Sequence, residues 1–193
     1  MAKQKLNTFG RVRALEGFKA IAFAAALLER MLPNYALFCE VTDSGDAPAL
    51  RNCLNLVWET LKSPKSKFNI AVQLEKVELA TPDTEEFDNY GVYPAIDAAI
   101  GLASLLNLVA GDDPQGAVVI SKLSQGSVEA YLLATGEADD DSVKEHPLMA
   151  FEVEVQNEML NYIEQAKSSA KAADEMRALA LEAGMSNIGL DLS

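Results

Sequence analysis

Apolar residues recur along most of this chain at the three- and four-residue spacing of an α-helix. The clearest stripe joins six residues: Leu50, Cys53, Leu54, Val57, Trp58 and Leu61. This spacing places all of their side chains on one face of a helix. The same pattern predicts helices over residues 15–31, 68–80, 93–110, 117–135 and 148–166, and an Ala-rich helix that ends at Gly184.

A proline and a short stretch of alternating apolar residues modify the elements that this helical pattern predicts. Pro33 is expected to end or kink the first helix, because proline lacks the amide hydrogen that an internal helical position donates. Residues 34–41 are then predicted to form a separate short helix, with Asn34 as its N-cap. Beyond Gly184, apolar residues alternate with others, which predicts an extended tail packed along the bundle: Ile188, Leu190 and Leu192.

The segment 93–110 is apolar on nearly all sides, as expected for a helix surrounded by other helices. The run AVVIS at 117–121 has strand character but no partner strand in the sequence. We therefore predict an all-α fold: a single domain over residues 1–193, built as a multi-helix bundle of about eight helices around the central helix near 93–110.

Charge narrows the choice of partner and location. The chain has 29 acidic and 16 basic residues, a net charge of −13. This excess predicts no nucleic acid partner and no membrane partner, since anionic phosphates repel an acidic surface. The longest apolar run, 98–111, is shorter than the ~20 residues that span a bilayer, and the basic N-terminus lacks the apolar region of a signal peptide. We expect a cytoplasmic protein.

Two kinds of protein partner stay open at this point. One is a second copy of the chain, in a homodimer. The other is a basic protein that docks on the acidic loops 83–88 and 137–141.

Residues that commonly perform catalysis are scarce. His146 is the single histidine and precedes Pro147 at an acidic loop, where an exposed side chain is expected. Cys39 and Cys53 lie in apolar helical runs and are interpreted as small buried side chains. The sequence has no glycine-rich phosphate loop and no nucleophile elbow. It therefore predicts no cofactor and no metal centre of a common type, and it assigns no catalytic residue.

Three carboxylates fall on or beside helix faces that should be buried: Glu29, Glu75 and Asp97. A buried carboxylate must be paired, hydrogen-bonded or protonated, and Arg30 and Arg51 are candidate partners. We favour internal ion pairs and hydrogen bonds that fix the register of the helices. The alternative is a shared polar pocket that holds Mg²⁺. The candidate polar cluster comprises Glu29, Arg30, Glu75, Tyr90, Tyr93 and Asp97.

The segment YGVYPAID, residues 90–97, opens the most apolar helix, and each of its residues suits a structural role. Pro94 fits the first helical turn, and Asp97 complements the helix dipole. Tyr90 and Tyr93 can bury their rings while their hydroxyl groups stay hydrogen-bonded. A binding role is compatible with this segment but is not required by it.

Five blocks of the sequence carry a resemblance to a family. They are ERMLPNY (29–35), WET (58–60), QLEK (73–76), YGVYPAID (90–97) and SNIG (186–189). Together, and in this order, they resemble the YjaG-like family of small bacterial proteins. The resemblance implies an all-α, single-domain, cytoplasmic protein. It implies neither a reaction nor the role of any residue, because the function of that family is unknown.

Two functional hypotheses follow. The favoured one is a non-catalytic binding or interaction module, since no recognisable catalytic set accompanies the acidic surface. The alternative is a Mg²⁺-assisted hydrolase of small phosphorylated or nucleotide substrates that uses the core carboxylates. Glu75-x-x-Glu78 followed by Glu85-x-x-Asp88 is similar to the carboxylate set of all-α nucleotide pyrophosphatases, although its two halves lie closer together.

Overall fold

Helices make up nearly all of the regular structure in the computed structural model of this chain, which describes residues 6–192. Eight α-helices lie in this range: α1 (Thr8–Arg13), α2 (Gly17–Thr42), α3 (Ala47–Lys62), α4 (Ile70–Ala80), α5 (Val92–Ala110), α6 (Gly116–Thr135), α7 (Pro147–Gln165) and α8 (Ala170–Glu182). Short 3₁₀ helices, Thr84–Glu86 and Val143–Glu145, precede α5 and α7. The predicted all-α bundle is confirmed. Residues 1–5 and 193, which the predicted domain includes, lie outside the described residues.

Local sequence signals set the ends of several helices. Asp46, Asn69 and Ser169 cap α3, α4 and α8, each by accepting a hydrogen bond from the backbone amide three residues later. Gly111 and Gly136 end α5 and α6 in the left-handed conformation, with φ angles of 83° and 71°. Such signals involve only neighbouring residues, so the sequence pattern predicts these boundaries well.

The helix α2 contradicts the predicted break at Pro33. It runs without interruption from Gly17 to Thr42, so the predicted helices 15–31 and 34–41 are one helix. Asn34 is consequently a buried interior residue and not an N-cap. An internal proline costs about 3 kcal/mol, and burial of the large side chains on both sides outweighs this cost. The count of about eight helices still holds because the short α1 was not predicted.

The helices α2 and α5 together form the centre of the bundle. α2 contacts α3, α5, α6, α7 and α8, and residues 22–28 have no solvent exposure at all. Four of these seven residues are alanines, whose small side chains let neighbouring helices approach closely. α5 belongs to the core, as predicted, but it keeps one side accessible to solvent: Ile100 is 44% exposed.

Both central helices are long and apolar enough to cross a bilayer, judged by length and composition alone. The run 98–111, which is too short to span a bilayer by itself, is only part of the longer apolar helix α5. In this fold, 78% of the most apolar 18-residue window of α2 is buried, and 50% of that of α5. Contacts with the other helices therefore account for much of their apolar character.

The C-terminal tail packs on the bundle, as predicted, but it is not extended. Ser186 and Asn187 are fully buried, and Ile188 joins a small apolar cluster with residues of α6 and α7. The chain then reverses at Gly189, where φ is 87° and favours glycine. As a result, the backbone amide of Ser186 donates to the carbonyl oxygen of Leu190 at 2.8 Å.

Candidate functional site

The six residues of the predicted polar cluster do not meet at one place. Glu29 and Arg30 are neighbours in α2, yet they contact different helices. Glu75 is exposed on α4. Tyr90, Tyr93 and Asp97 line one cleft together. Apart from the exposed Glu75, the residues of the predicted cluster thus belong to two buried ion-pair networks and to one partly open cleft.

The first network is built on a fully buried ion pair. Arg30 Nη2 donates to Glu152 Oε2 at 2.7 Å and Arg30 Nε donates at 3.1 Å, and neither side chain is exposed. Glu152 Oε1 accepts from the hydroxyl group of Ser124 at 2.7 Å and from the side-chain amide of Gln156 at 3.1 Å. The carboxylate is therefore hydrogen-bonded at both oxygens, and its charge is balanced.

Asn187 connects the tail to this network. Its backbone amide donates to the carbonyl oxygen of Arg30 at 3.1 Å, and its side-chain amide donates to that of Ser124 at 3.1 Å. Its Oδ1 accepts from the side-chain amide of Asn34 at 2.8 Å. α2, α6 and the tail are thus held in one register, which is a structural role.

Sequence reasoning named Arg30 but missed its partner. Glu152 lies three residues before Val155 and seven before Met159, on the core face of α7. That spacing could have identified Glu152 as a core residue. The other glutamates of the same helix made it hard to distinguish. Asn187 offered no periodic signal, because it lies in an irregular segment.

The second network surrounds Glu29, which is 1% exposed. Arg51 Nη1 donates to both carboxylate oxygens at 2.9 Å, and the indole nitrogen of Trp58 donates to Oε1 at 2.9 Å. Arg177 Nε forms an ion pair with Oε1 at 3.0 Å. Arg51, one of the two candidate partners named for the core carboxylates, thus pairs with Glu29, whereas Arg177 was not expected. Two arginines and a tryptophan satisfy this carboxylate completely.

The prediction that Glu75 faces the core was wrong. The buried residues of α4 are Val77 and Ala80, and the apolar side chains that suggested a buried stripe are themselves exposed, Leu79 by 82%. Within residues 6–192, no group of three or more His, Cys, Asp or Glu side chains is arranged to hold a metal ion. The paired motifs that begin at Glu75 and Glu85 therefore form no metal-ligand set there.

The histidine and the two cysteines, the residue types most often used as bases or nucleophiles, occupy structural positions in this fold. His146 is not a free loop side chain: its Nδ1 accepts from the backbone amide of Leu148 at 3.1 Å and caps α7. Both cysteines are free thiols. Burial raises the pKa of the Cys53 thiol to about 12 and also raises the pKa of the Cys39 thiol. Such thiols are poor nucleophiles near neutral pH.

A cleft of about 650 Å³ lies between the first turns of α5 and the middle of α6. Its lining is mostly apolar and aromatic: Tyr90, Tyr93, Asp97, Val119, Lys122, Leu123, Gly126 and Ala130. The ring centroids of Tyr90 and Tyr93 are 5.6 Å apart, and Tyr131 lies 6.2 Å from Tyr90. Tyr93 is 52% exposed, so the aromatic wall is accessible from solvent.

Asp97 is the acidic group of this cleft, and it lacks the partners that the two buried glutamates have. It forms no ion pair with any residue in the described part of the chain. Burial raises the pKa of its carboxyl group, and the hydroxyl group of Ser127 only partly opposes that effect. Ser127 is 2% exposed, and its Oγ makes no well-formed hydrogen bond to the described residues.

Lys122, the one cationic side chain among the lining residues, forms no ion pair with Asp97. The ammonium group of Lys122 lies 5.6 Å from the ring centroid of Phe9. The charge of Asp97 acts instead on Tyr90, whose pKa is raised by burial and then by this carboxylate. The cleft therefore combines an aromatic wall with a negative charge that the neighbouring side chains leave unbalanced, a combination that attracts a cation.

Known proteins with similar sequences belong to a family of unknown function. Residues 7–191 match a family described as "Protein of unknown function (DUF416)". The chain is 39% identical over 184 residues to "Uncharacterized protein YjaG" of Escherichia coli (strain K12), covering 93% of this chain and 94% of that protein. It is 35% identical over 188 residues to an uncharacterized protein of Haemophilus influenzae, covering 94% and 95% of the two chains.

A solved structure has the same fold. The crystal structure of a DUF416 family protein from Shewanella baltica OS155 superposes with a TM-score of 0.91. The two sequences are 41% identical, and the match covers 97% of this chain and all of that one. The resemblance predicted from the five sequence blocks is therefore confirmed.

Proposed function

Because this chain belongs to the DUF416 family, whose function is unknown, we propose a role from its own residues: a non-catalytic binding module that accepts a protonated amine in the cleft between α5 and α6. The observation that carries this proposal is the carboxylate of Asp97, which is partly buried and lacks a cationic partner among the described residues. A bound ammonium group would supply that partner and favour the charged form of the carboxyl group.

The aromatic wall supports the same choice of ligand. The faces of tyrosine rings attract cations, by about 0.5–2 kcal/mol for a well-placed ring. Tyr90 and Tyr93 lie together at the cleft, and Tyr93 is accessible from solvent. The net charge of −13 also raises the local concentration of cations around the whole molecule.

The rest of the lining suits a ligand with an apolar body and a single charge. Val119, Leu123 and Ala130 offer only apolar side chains for contact. Lys122, also on the wall, would repel a second ammonium group, so a monoamine is favoured over a polyamine. Gly126 leaves open space, since a Cβ atom placed there would meet no atom within 4 Å.

An ammonium group on an apolar chain has two sources: a free small amine, or a lysine side chain of a basic protein partner. The second source agrees with the acidic loops 83–88 and 137–141, whose residues are largely exposed. Both sources present the same ammonium group to Asp97, and binding experiments with a free amine and with a lysine-containing peptide distinguish them.

Calorimetric titration at pH 7 with phenethylamine, and separately with a short lysine-containing peptide, tests the proposal. 2-Phenylethanol, which keeps the apolar body but has no charge, should bind at least about tenfold more weakly than phenethylamine. Asp97→Asn should weaken amine binding by a similar factor, whereas Asp140→Asn, a change at an exposed loop aspartate, should not. Tighter binding of the peptide than of the free amine would identify the protein partner as the source.

A second variant separates binding from stability. Gly126→Leu should fill the cleft and abolish amine binding while it stabilises α6, because leucine is a better helix former than glycine. Equal affinities for phenethylamine and 2-phenylethanol, or an Asp97→Asn variant that binds amine normally, would contradict the proposal. So would the absence of binding by both amine probes at millimolar concentration.

We also propose a cytoplasmic location. The two free cysteines support it, since such thiols persist in reducing compartments. Cell fractionation tests this directly. The Mg²⁺-assisted hydrolase stays the alternative hypothesis, and the arrangement of carboxylates within residues 6–192 offers it no ligand cluster.

A further inference from the structure

A second cavity, of about 260 Å³, lies between the C-terminal half of α2, the start of α5 and the tail. Most of its wall is apolar and includes Leu37, Phe38, Pro94 and Ile188, while its polar lining residues are Asn34, Asn89, Tyr90 and Tyr131. None of its lining residues carries a charge. Leu37 is 43% exposed, so the cavity communicates with solvent at that side.

One polar group of the wall is unsatisfied. Asn34 is 4% exposed, and its Oδ1 atom is buried without a hydrogen-bond partner among the described residues. The orientation of this side chain follows from its neighbours. The side-chain amide of Asn187 donates to Ser124, so Asn187 presents its oxygen to Asn34. Only the amide nitrogen of Asn34 can donate to that oxygen, which leaves Oδ1 as a free acceptor.

From this juxtaposition we propose a second ligand site, in which a small neutral molecule fills the cavity and donates one hydrogen bond to Asn34 Oδ1. The size follows from the volume: 260 Å³ is below the roughly 300–1,000 Å³ of pockets for drug-sized ligands and above the about 150 Å³ that hold a benzene ring. The ligand is therefore a single- or double-ring compound with one O–H or N–H group, such as a phenol or an indole.

Water is a poorer occupant than such a compound. An ordered buried water ordinarily makes two to four hydrogen bonds to polar partners, and a water bound to Asn34 Oδ1 would leave the apolar side chains of the wall without contacts. An aromatic molecule with one donor satisfies Asn34 and also contacts the apolar wall. This site is separate from the amine cleft and does not depend on the proposal for it, although Tyr90 lines both.

NMR titration of the wild-type protein with phenol and with toluene tests this inference. The two probes have similar size and shape, but only phenol can donate to Asn34. We expect phenol to bind at least about tenfold more tightly than toluene, a difference of about 1.4 kcal/mol. A purely apolar cavity would show the opposite order, since toluene is the more hydrophobic probe.

Leu37→Trp locates the site by filling its mouth. It should remove phenol binding, whereas Val72→Trp should not, because Val72 is equally exposed, at 41%, on a different helix. Toluene that binds as well as phenol, phenol that still binds Leu37→Trp, or no phenol binding at millimolar concentration would each overturn the inference. The comparison of the two probes needs no variant, so it stays decisive if Leu37→Trp does not fold.

Discussion

The helix α6 presents serines at three-residue spacing to two regions that differ in how their polar groups are satisfied. Ser121 donates to Gln156 at 2.6 Å, and Ser124 donates to Glu152 at 2.7 Å. Ser127, one turn further on, is equally buried but has no well-formed hydrogen bond within the described structure. The first two belong to the Arg30 network, whereas the third lies beside Asp97 in the cleft.

This difference shows which buried polar residues are candidates for function. Glu29 and Glu152 are almost completely buried, yet each has arginine and further hydrogen-bond donors. They need nothing from outside the protein. Asp97 is less buried but lacks a cationic partner among the described residues, and its pKa is raised as a result of burial. Burial of a carboxylate alone therefore indicates structure, while a missing partner indicates a place for a ligand.

The largest expected effect comes from breaking the Arg30 network. Glu152→Gln keeps the shape of the side chain but leaves the fully buried guanidinium group of Arg30 without a counter-charge. We expect the free energy of unfolding to fall by about 3–5 kcal/mol, as for other buried ion pairs that lose one member. Urea unfolding followed by circular dichroism measures this loss.

A double variant serves as the control for that prediction. Replacing both members, in Arg30→Met with Glu152→Met, removes the buried charge together with its partner and should recover most of the lost stability. A cost below about 1 kcal/mol for Glu152→Gln would mean that the Arg30 network does not stabilise the fold as a satisfied structural unit. The contrast between this network and the cleft would then be refuted.

A smaller effect is expected at Glu29. In Glu29→Gln, the arginines that lose their counter-charge are 38% and 37% exposed in their side chains, so water can replace the carboxylate. We expect a loss of about 1–2 kcal/mol. Trp58, the single tryptophan of the chain, donates directly to Glu29, so its fluorescence reports both the unfolding and the local change. A loss as large as that of Glu152→Gln would show that exposure of the arginines does not matter.

The sequence predicted the elements of the fold better than the contacts of its polar residues. Periodic apolar spacing located α3, α5 and α7, because each helix buries a stripe that repeats within its own sequence. The break at Pro33 was wrong since the local preference of proline was outweighed by burial of side chains that come from distant parts of the chain.

Polar partners depend on long-range contacts that periodicity does not encode. Arg30 and Glu152 are separated by 122 residues, and Glu29 meets Arg177 from the last helix. Glu75 had the same spacing relative to apolar neighbours as a core residue, but α4 lies at the edge of the bundle and that face is solvent-exposed. The cleft residues Tyr90, Tyr93 and Asp97 were close in sequence, which is why they were predicted as neighbours.

The smallest of these three changes in stability, and of opposite sign to the losses expected for Glu152→Gln and Glu29→Gln, is expected at Asp97. In a structural role like that of Glu29, Asp97→Asn would lower stability, which is the outcome that the sequence alone favoured. The structure reverses this expectation. Because the folded protein raises the pKa of the carboxyl group, its ionised form destabilises the folded state. Removing the charge should stabilise the protein at pH 7 by about 0.5–2 kcal/mol, the usual range for a stabilising substitution.

The pH dependence of this difference tests the central claim most directly. Urea unfolding of the wild-type protein and of Asp97→Asn should be measured from pH 3 to pH 8 in ligand-free buffer. The stabilisation should be fully present above the raised pKa of Asp97 and should disappear below about pH 3.9, the ordinary pKa of an aspartate, where the carboxyl group is protonated in both states. A variant that is less stable than the wild type at pH 7 would contradict the claim that Asp97 lacks a cationic partner.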